Sequence, residues 1–184
     1  MFSSLVTTLQ MGFILSAYNQ EAMLGTVVVK MFLTEINPVF CAIGVAAHMG
    51  SAKCAELATM RVSEEIDALE VMSINPMYYL VMPRIVAFAA GVPLLIIVGS
   101  VIGILTAGGL GFLQYNVSFD LFIQGGKELL ELPDLLNGLV KGVVFGCLIG
   151  AICCSQGLRA EYTAESVGRA TSKSVVFCFL FILM

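Results

Sequence analysis

Between Arg84 and Asp120 the chain runs from Ile85 to Phe119, 35 residues, without a charged side chain. About 20 consecutive apolar residues suffice for a helix to cross a bilayer, and a buried helix of a soluble core is usually shorter. Four further charge-free runs accompany it: Met1–Gln20, Ile36–Ala52 apart from the neutral His48, Gly142–Leu158 and Ser174–Met184. They predict membrane spans near Phe2–Tyr18, Leu24–Ala47, Ile85–Ala107 and Leu135–Ser155, with a fifth starting at Ser174. The expected fold is all-α and integral to the membrane: a polytopic helical bundle of about five transmembrane helices.

Composition agrees. Of 184 residues, 59% are apolar and 12% charged, against about 45–50% and about 25% in soluble domains. A small globule cannot hide that much apolar surface. A net charge of −4 leaves no basic footprint for nucleic acid. The final charge-free run is only 11 residues long, so the last helix is expected to be truncated. The apolar start at Met1-Phe2 lacks the basic stretch that opens a secretory signal. The chain is therefore expected to be incomplete at both ends.

Orientation follows from lysine and arginine. Lys53, Arg61 and Arg84 lie between spans two and three, and Arg159, Arg169 and Lys173 between spans four and five. The other side has Lys127, Lys141 and Lys30. This places segments 50–84 and 156–173 in the cytoplasm, gives a cytoplasmic N-terminus, and makes residues 108–134 an outward loop. That loop has an amphipathic stretch in which Leu129, Leu130, Leu132 and Leu135 alternate with Glu128, Glu131 and Asp134.

The six cysteines (Cys41, Cys54, Cys147, Cys153, Cys154 and Cys178) lie mostly in apolar runs and show no metal-ligand spacing. They read as small apolar helix residues. His48 stands alone, so no metal site is expected. No nucleophile, base and acid constellation is spaced for catalysis. No phosphate-binding Gly-x-x-x-x-Gly-Lys-[Ser/Thr] loop occurs, so any ATP and magnesium must act on another chain.

Residues 51–83, SAKCAELATMRVSEEIDALEVMSINPMYYLVMP, are the most patterned. Ser63 is a candidate helix cap, with Glu64 and Glu65 in the favourable first turn. Val62, Ile66, Leu69 and Met72 form an apolar stripe, Glu64, Asp67 and Glu70 share the opposite side, and Asn75-Pro76 ends the helix. An amphipathic helix within 51–75, lying across the inner ends of the spans, is expected. Its acidic face suits a protein partner better than an anionic leaflet.

Two features lie inside the spans. Glu35, followed by Asn37 and Pro38, sits in the middle of the second span. A carboxylate there must face protein or a wet cavity, and Pro38 frees backbone carbonyls that need partners. Lys30, about a turn and a half away, is expected to snorkel outward. Glycines recur four apart at Gly99 and Gly103, and at Gly138, Gly142, Gly146 and Gly150, a spacing that lets helices approach closely.

The stretch Glu56-Leu57-Ala58-Thr59-Met60-Arg61-Val62-Ser63-Glu64-Glu65-Ile66-Asp67-Ala68-Leu69 closely resembles the signature of the MlaE/YrbE permeases, the membrane subunits of MCE-linked ABC lipid transporters. The resemblance continues through Asn75-Pro76, Tyr79-Leu80-Val81-x-Pro83-Arg84, Asp134-Leu135, Lys141-x-x-x-Phe145-Gly146 and Glu165-Ser166-Val167-Gly168-Arg169-Ala170-Thr171. Glu35-Ile36-Asn37-Pro38 aligns with the family's Arg-Glu-Leu-Gly-Pro. Thr34, Asn37 and His48 depart from that pattern, standing where the family has Arg, Gly and Arg.

The resemblance implies a single permease domain over residues 1–184 that moves phospholipid or a related lipid between membranes. It implies a homodimer in the bacterial cytoplasmic (inner) membrane, a cytoplasmic ABC ATPase subunit and an MCE-domain protein on the opposite side. Glu56, Arg61, Glu64, Glu65, Asp67 and Leu69 would couple to the ATPase. Glu35, Asn37 and Pro38 would lie near the lipid cavity. The chain itself would be a non-enzymatic subunit. Two rivals are weighed against this. A secondary transporter or channel would use Glu35 as a proton or ion site, but would need more buried charge or a second broken helix. A lipid-modifying enzyme would need acids or histidines converging on one membrane face.

Overall fold

The computed structural model describes residues 1–18, 23–115, 118–129 and 132–184, with side chains for all of these except 119, 120, 127–129 and 132. No strand occurs among the described residues. The helices are α1 (Phe2–Ala17), α2 (Leu24–Met31), α3 (Asn37–Val45), α4 (Ser51–Val62), α5 (Glu65–Val71), α6 (Met82–Tyr115), α7 (Phe119–Leu129), α8 (Leu132–Leu158) and α9 (Ala164–Leu183). Among the described residues three π-helical turns, Phe32–Ile36, Ala46–Gly50 and Met77–Val81, interrupt them.

Among the described residues, four segments are long and apolar enough to cross a membrane: Leu24–Val62, Met77–Tyr115, Pro133–Leu158 and Ala164–Leu183. They correspond to the expected spans two to five, each of which extends beyond the expected bounds, because helical hydrogen bonding continues past the apolar run into polar residues. The fifth was expected to begin at Ser174. It begins at Ala164, carries Arg169 and Lys173 in its first half, and reaches 20 residues. The first was expected as a span over Phe2–Tyr18. Its helix is shorter, with 16 residues. Much of the 108–134 segment is itself helical, as the end of α6 and as α7. The amphipathic reading at Glu128, Leu129, Leu130, Glu131 and Leu132 lies outside the described side chains.

The chain forms two compact units. The first comprises Met1–Phe40 and Leu94–Lys141. Its core joins Leu24, Val28, Val29 and Leu33 to Ala107 and Phe122, with Met11, Leu15, Ile104 and Tyr115 against them. Helix α1 is inverted relative to a soluble helix. Ser4, Thr7 and Thr8 are buried, while Phe2 is 81% and Phe13 75% exposed. The Thr7 and Thr8 hydroxyls donate to the Ser3 and Ser4 carbonyls, and the Ser4 hydroxyl donates to the Gly103 carbonyl. Small hydroxyl residues inside and aromatics outside are what a lipid solvent selects. Helix α7 presses on α2 through glycine: a Cβ on Gly25 would strike the Phe122 backbone, and one on Gly126 would lie 3.2 Å from Val29.

The second unit comprises Cys41–Pro93 and Gly142–Met184. Its core gathers Leu57, Ile66, Leu80, Val81 and Cys154, with Met60, Leu69, Ile85 and Leu158 against them. The expected glycine stripe on α8 operates here. A Cβ on Gly146 would meet the Phe88 and Ala89 backbone, and one on Gly150 would sit 3.0 Å from the Ile85 Cα. The cysteines behave as small residues: Cys54, Cys153, Cys154 and Cys178 are buried free thiols.

Gly146→Val is expected to lower the melting temperature in detergent by several degrees, since overpacking costs about 1–3 kcal/mol. Gly91→Ala and Gly168→Ala face open space and are expected to leave it unchanged or raise it slightly. A thiol-reactive dye that reports exposure of the buried cysteines provides the readout.

Candidate functional site

In the first unit the site is built around a missing hydrogen bond. The π-helical turn ends with the Asn37 N–H donating to the Phe32 carbonyl. Pro38 follows and has no N–H to offer Leu33 or Thr34. Helix α8 comes up against both carbonyls and donates to one of them. The Lys141 ammonium donates to the Thr34 carbonyl at 3.1 Å. Gly138, one turn earlier, is bare enough for α8 to come against the Leu33 carbonyl, which a Cβ there would approach to 3.0 Å. The same Lys141 Nζ lies 2.6 Å from Glu35 Oε1, so the intramembrane carboxylate is neutralised by a partner 106 positions away. Lys30 was expected to reach outward alone. Instead its Nζ lies 3.3 Å from Asp134 Oδ2.

Asn37 is buried and faces α6. Its amide donates to the Ile96 carbonyl at 2.8 Å and to the Ser100 hydroxyl at 2.7 Å. Ser100, Leu33 and Gly138 line an apolar groove of about 350 Å³ with Ile96, Ile104 and Leu135. Of the three expected cavity residues, Asn37 and Pro38 support the groove wall, and Glu35 engages Lys141 instead. Lys141 as the partner of Glu35, and Asp134 as that of Lys30, were not foreseen.

In the second unit the patterned segment is an elbow. Ser63 was expected to cap a helix start. It closes the helix before: its hydroxyl donates to the Thr59 carbonyl at 2.8 Å. Glu64 then takes a left-handed conformation, φ 59°, and α5 begins. Helix α5 ends at Val71 and is closed by Ser73, φ 60°. Ile74 N–H donates to Leu69 and Ser73 N–H to Glu70, the Schellman arrangement usually built with glycine. Asn75 does not itself end α5. Its side-chain oxygen accepts from Met77 N–H at 3.0 Å and opens the next helix.

The expected coupling residues divide. Glu56 is held between Lys53 at 2.6 Å and Arg84 at 2.7 Å. Arg61 pairs with Asp67 at 2.6 Å, and Tyr162, from the turn between α8 and α9, donates its hydroxyl to the other Asp67 oxygen at 2.9 Å. The Arg61 guanidinium also lies 4.9 Å from the Tyr162 ring centre. Leu69 packs in the core. These four therefore hold the elbow, and Asp67 does not share the open face with Glu64 and Glu70. Glu64, Glu65 and Glu70 are exposed, beside exposed Val71, Met72, Met77 and Tyr78. The arrangement is an acidic, partly apolar surface on a braced support. Among the described residues no cluster of histidine, cysteine and carboxylates could hold a metal ion.

A family profile described as Permease MlaE matches residues 1–184. A probable ABC transporter permease protein of Rickettsia typhi is 37% identical over 183 residues, 100% of this chain and 71% of that protein. The probable ABC transporter permease protein ycf63 of Pyropia yezoensis is 33% identical over 175 residues, 95% of this chain and 66% of that protein. The chloroplastic protein TRIGALACTOSYLDIACYLGLYCEROL 1 of Arabidopsis thaliana is 35% identical over 153 residues, 83% of this chain and 44% of that protein.

Lys141→Met is expected to lower thermal stability by several degrees, because it strips the Thr34 carbonyl and Glu35 of their donor together. Glu35→Gln combined with Lys141→Met is expected to recover part of that loss, with a coupling of roughly 1 kcal/mol in a double-mutant cycle.

The Asp67 carboxylate raises the Tyr162 pKa by accepting its hydroxyl. The bond is therefore fully formed below the ordinary tyrosine value of about 10 and is lost as pH rises through the higher folded value. The difference in absorbance titration between the wild type and Tyr162→Phe is expected to show one tyrosine ionising late.

Proposed function

The chain belongs to the MlaE permease family, a multi-pass membrane permease of the ABC transporter class, and from that premise we propose that it moves phospholipid or a related lipid, driven by a separate ATPase. The observation that carries this reading is the braced elbow. Helix α5 offers Glu64, Glu65 and Glu70 with Val71 and Met72 to a partner, while Asp67 ties its base to Arg61 and Tyr162. A force applied to the open face is passed into α4 and the α8–α9 turn and is not absorbed by a loose loop. The permease performs no covalent step. ATP and magnesium act on the partner, whose two states must contact α5 differently for transport to be coupled.

Lipid as cargo is supported by two things. The groove beside Asn37 and Ser100 is apolar with one hydroxyl at its wall, which suits an acyl chain. The Arabidopsis relative bears the name of a galactolipid. The same proposal places the protein in the bacterial inner membrane with a cytoplasmic N-terminus, pairs it with a second copy, and gives it an MCE-domain protein on the opposite side. Glu35 is bound to Lys141 as a neutralised pair, which offers an ion-coupled mechanism no free carboxylate.

Glu64→Lys with Glu65→Lys is expected to abolish co-purification with the ATPase subunit, or to cut stimulated ATP hydrolysis at least tenfold, while the permease keeps its melting temperature. Full assembly and full stimulation in this variant would remove the coupling role. Lipid movement by proteoliposomes holding the permease alone, driven by an ion gradient, would replace the ATP-driven reading.

A further inference from the structure

Two adjoining cavities that the transport reading does not use lie along α8 and α9, one of them at the turn that joins these helices. The first, about 90 Å³, is lined by Gln156, Arg159, Glu161, Ser166, Arg169 and Lys173 over a floor of Ala160 and Ala170. The second, about 400 Å³, is lined by Gln156, Ser172, Lys173, Val176 and Phe177. Gln156 and Lys173 belong to both. Their order along α9 is set by helical spacing. Ser166, Arg169, Ala170, Lys173 and Phe177 recur at intervals of three and four and so form one continuous face, basic toward the turn and apolar beyond it.

The charges are unbalanced. Three cations and one carboxylate, Glu161, line the small cavity. Arg159 and Lys173 have no acidic partner among the described residues. Arg169 pairs with Glu165, but both side chains are well exposed, and such a pair is weak enough to yield to a better ligand. The Ser166 hydroxyl is already spent on the Glu161 and Thr163 carbonyls, so the guanidinium groups and the lysine, with the neutral Gln156 amide, are the donors left for an anion. Arginine matches phosphate oxygens in pairs. A long lysine at the border of a basic and an apolar zone is suited to a membrane interface.

We propose that this composite site binds an anionic glycerophospholipid, its phosphate among Arg159, Arg169 and Lys173 and one acyl chain along Val176 and Phe177. A soluble phosphate would use only the basic half. A zwitterionic lipid would leave the surplus positive charge unmatched, whereas basic pockets between membrane helices favour anionic headgroups. Arg159 and Glu161 lie in the same turn as Tyr162, so the bound lipid sits next to the anchor of Asp67. The site stands whether or not lipid is also the transported cargo.

The test uses the full chain in phosphatidylcholine nanodiscs with increasing phosphatidylglycerol, read by melting temperature and by photo-crosslinking with lipid analogues of each headgroup. The expected results are a melting temperature that rises with phosphatidylglycerol, an effect weakened by salt, and crosslinks of the phosphatidylglycerol analogue within residues 172–177. Arg159→Gln with Lys173→Gln is expected to reduce phosphatidylglycerol binding at least tenfold and to leave the melting temperature in pure phosphatidylcholine unchanged. Equal crosslinking by both analogues, crosslinks confined to other helices, or displacement of phosphatidylglycerol by millimolar inorganic phosphate would overturn the proposal. The crosslinking arm needs only the wild type, so it decides the matter even if the double variant fails to fold.

Discussion

A carbonyl without a hydrogen bond inside hydrocarbon costs several kcal/mol, and Pro38 creates that problem in mid-span. The first unit is arranged around its solution. Helix α8 must come close enough for Lys141 to reach Thr34, which requires a glycine at 138. The lysine that serves the carbonyl must itself be neutralised, which fixes Glu35 beside it. Asn37, pushed to the other side by the π-helical turn, bonds α6 at Ile96 and Ser100. One absent N–H thus bears on the neighbours of three polar residues, Thr34, Glu35 and Asn37, and the apolar groove lies between the helices that answer it.

The second unit is held by paired polar groups at its rim. Glu56 links α4 to the start of α6 through Arg84, and Asp67 links α5 to the α8–α9 turn through Tyr162. Exposed ion pairs contribute little one by one. Here they join segments distant in sequence, and the apolar cluster of Leu57, Ile66 and Leu80 beneath them supplies the packing.

How much of this was readable in the sequence depends on the range of the interaction. The spans at Ile85 and Gly142 were readable because hydropathy is a local sum, and the α8 glycines because their period matches the helix. The ends were not. Helix α9 runs through Arg169 and Lys173 toward the turn, and a charge count stops at those residues while backbone hydrogen bonding does not. The elbow was misread at Ser63 because a serine beside two glutamates looks the same whether it closes one helix or opens another. Glu35 was legible as a misplaced charge, but its partner Lys141, 106 positions away, was not, since nothing local joins them. The split of the 56–69 residues into braces and open face was likewise hidden. It depends on Tyr162, which lies outside that signature.

Helix α5 is bracketed by two residues, Glu64 and Ser73, whose backbones occupy a region that side chains with a Cβ avoid. Each forfeits about 1–2 kcal/mol relative to a right-handed conformation. A swing of α5 that let both corners relax would release that energy along the direction of motion. Asp67, tied to Arg61 and Tyr162, is what keeps the short helix seated with both corners in that conformation.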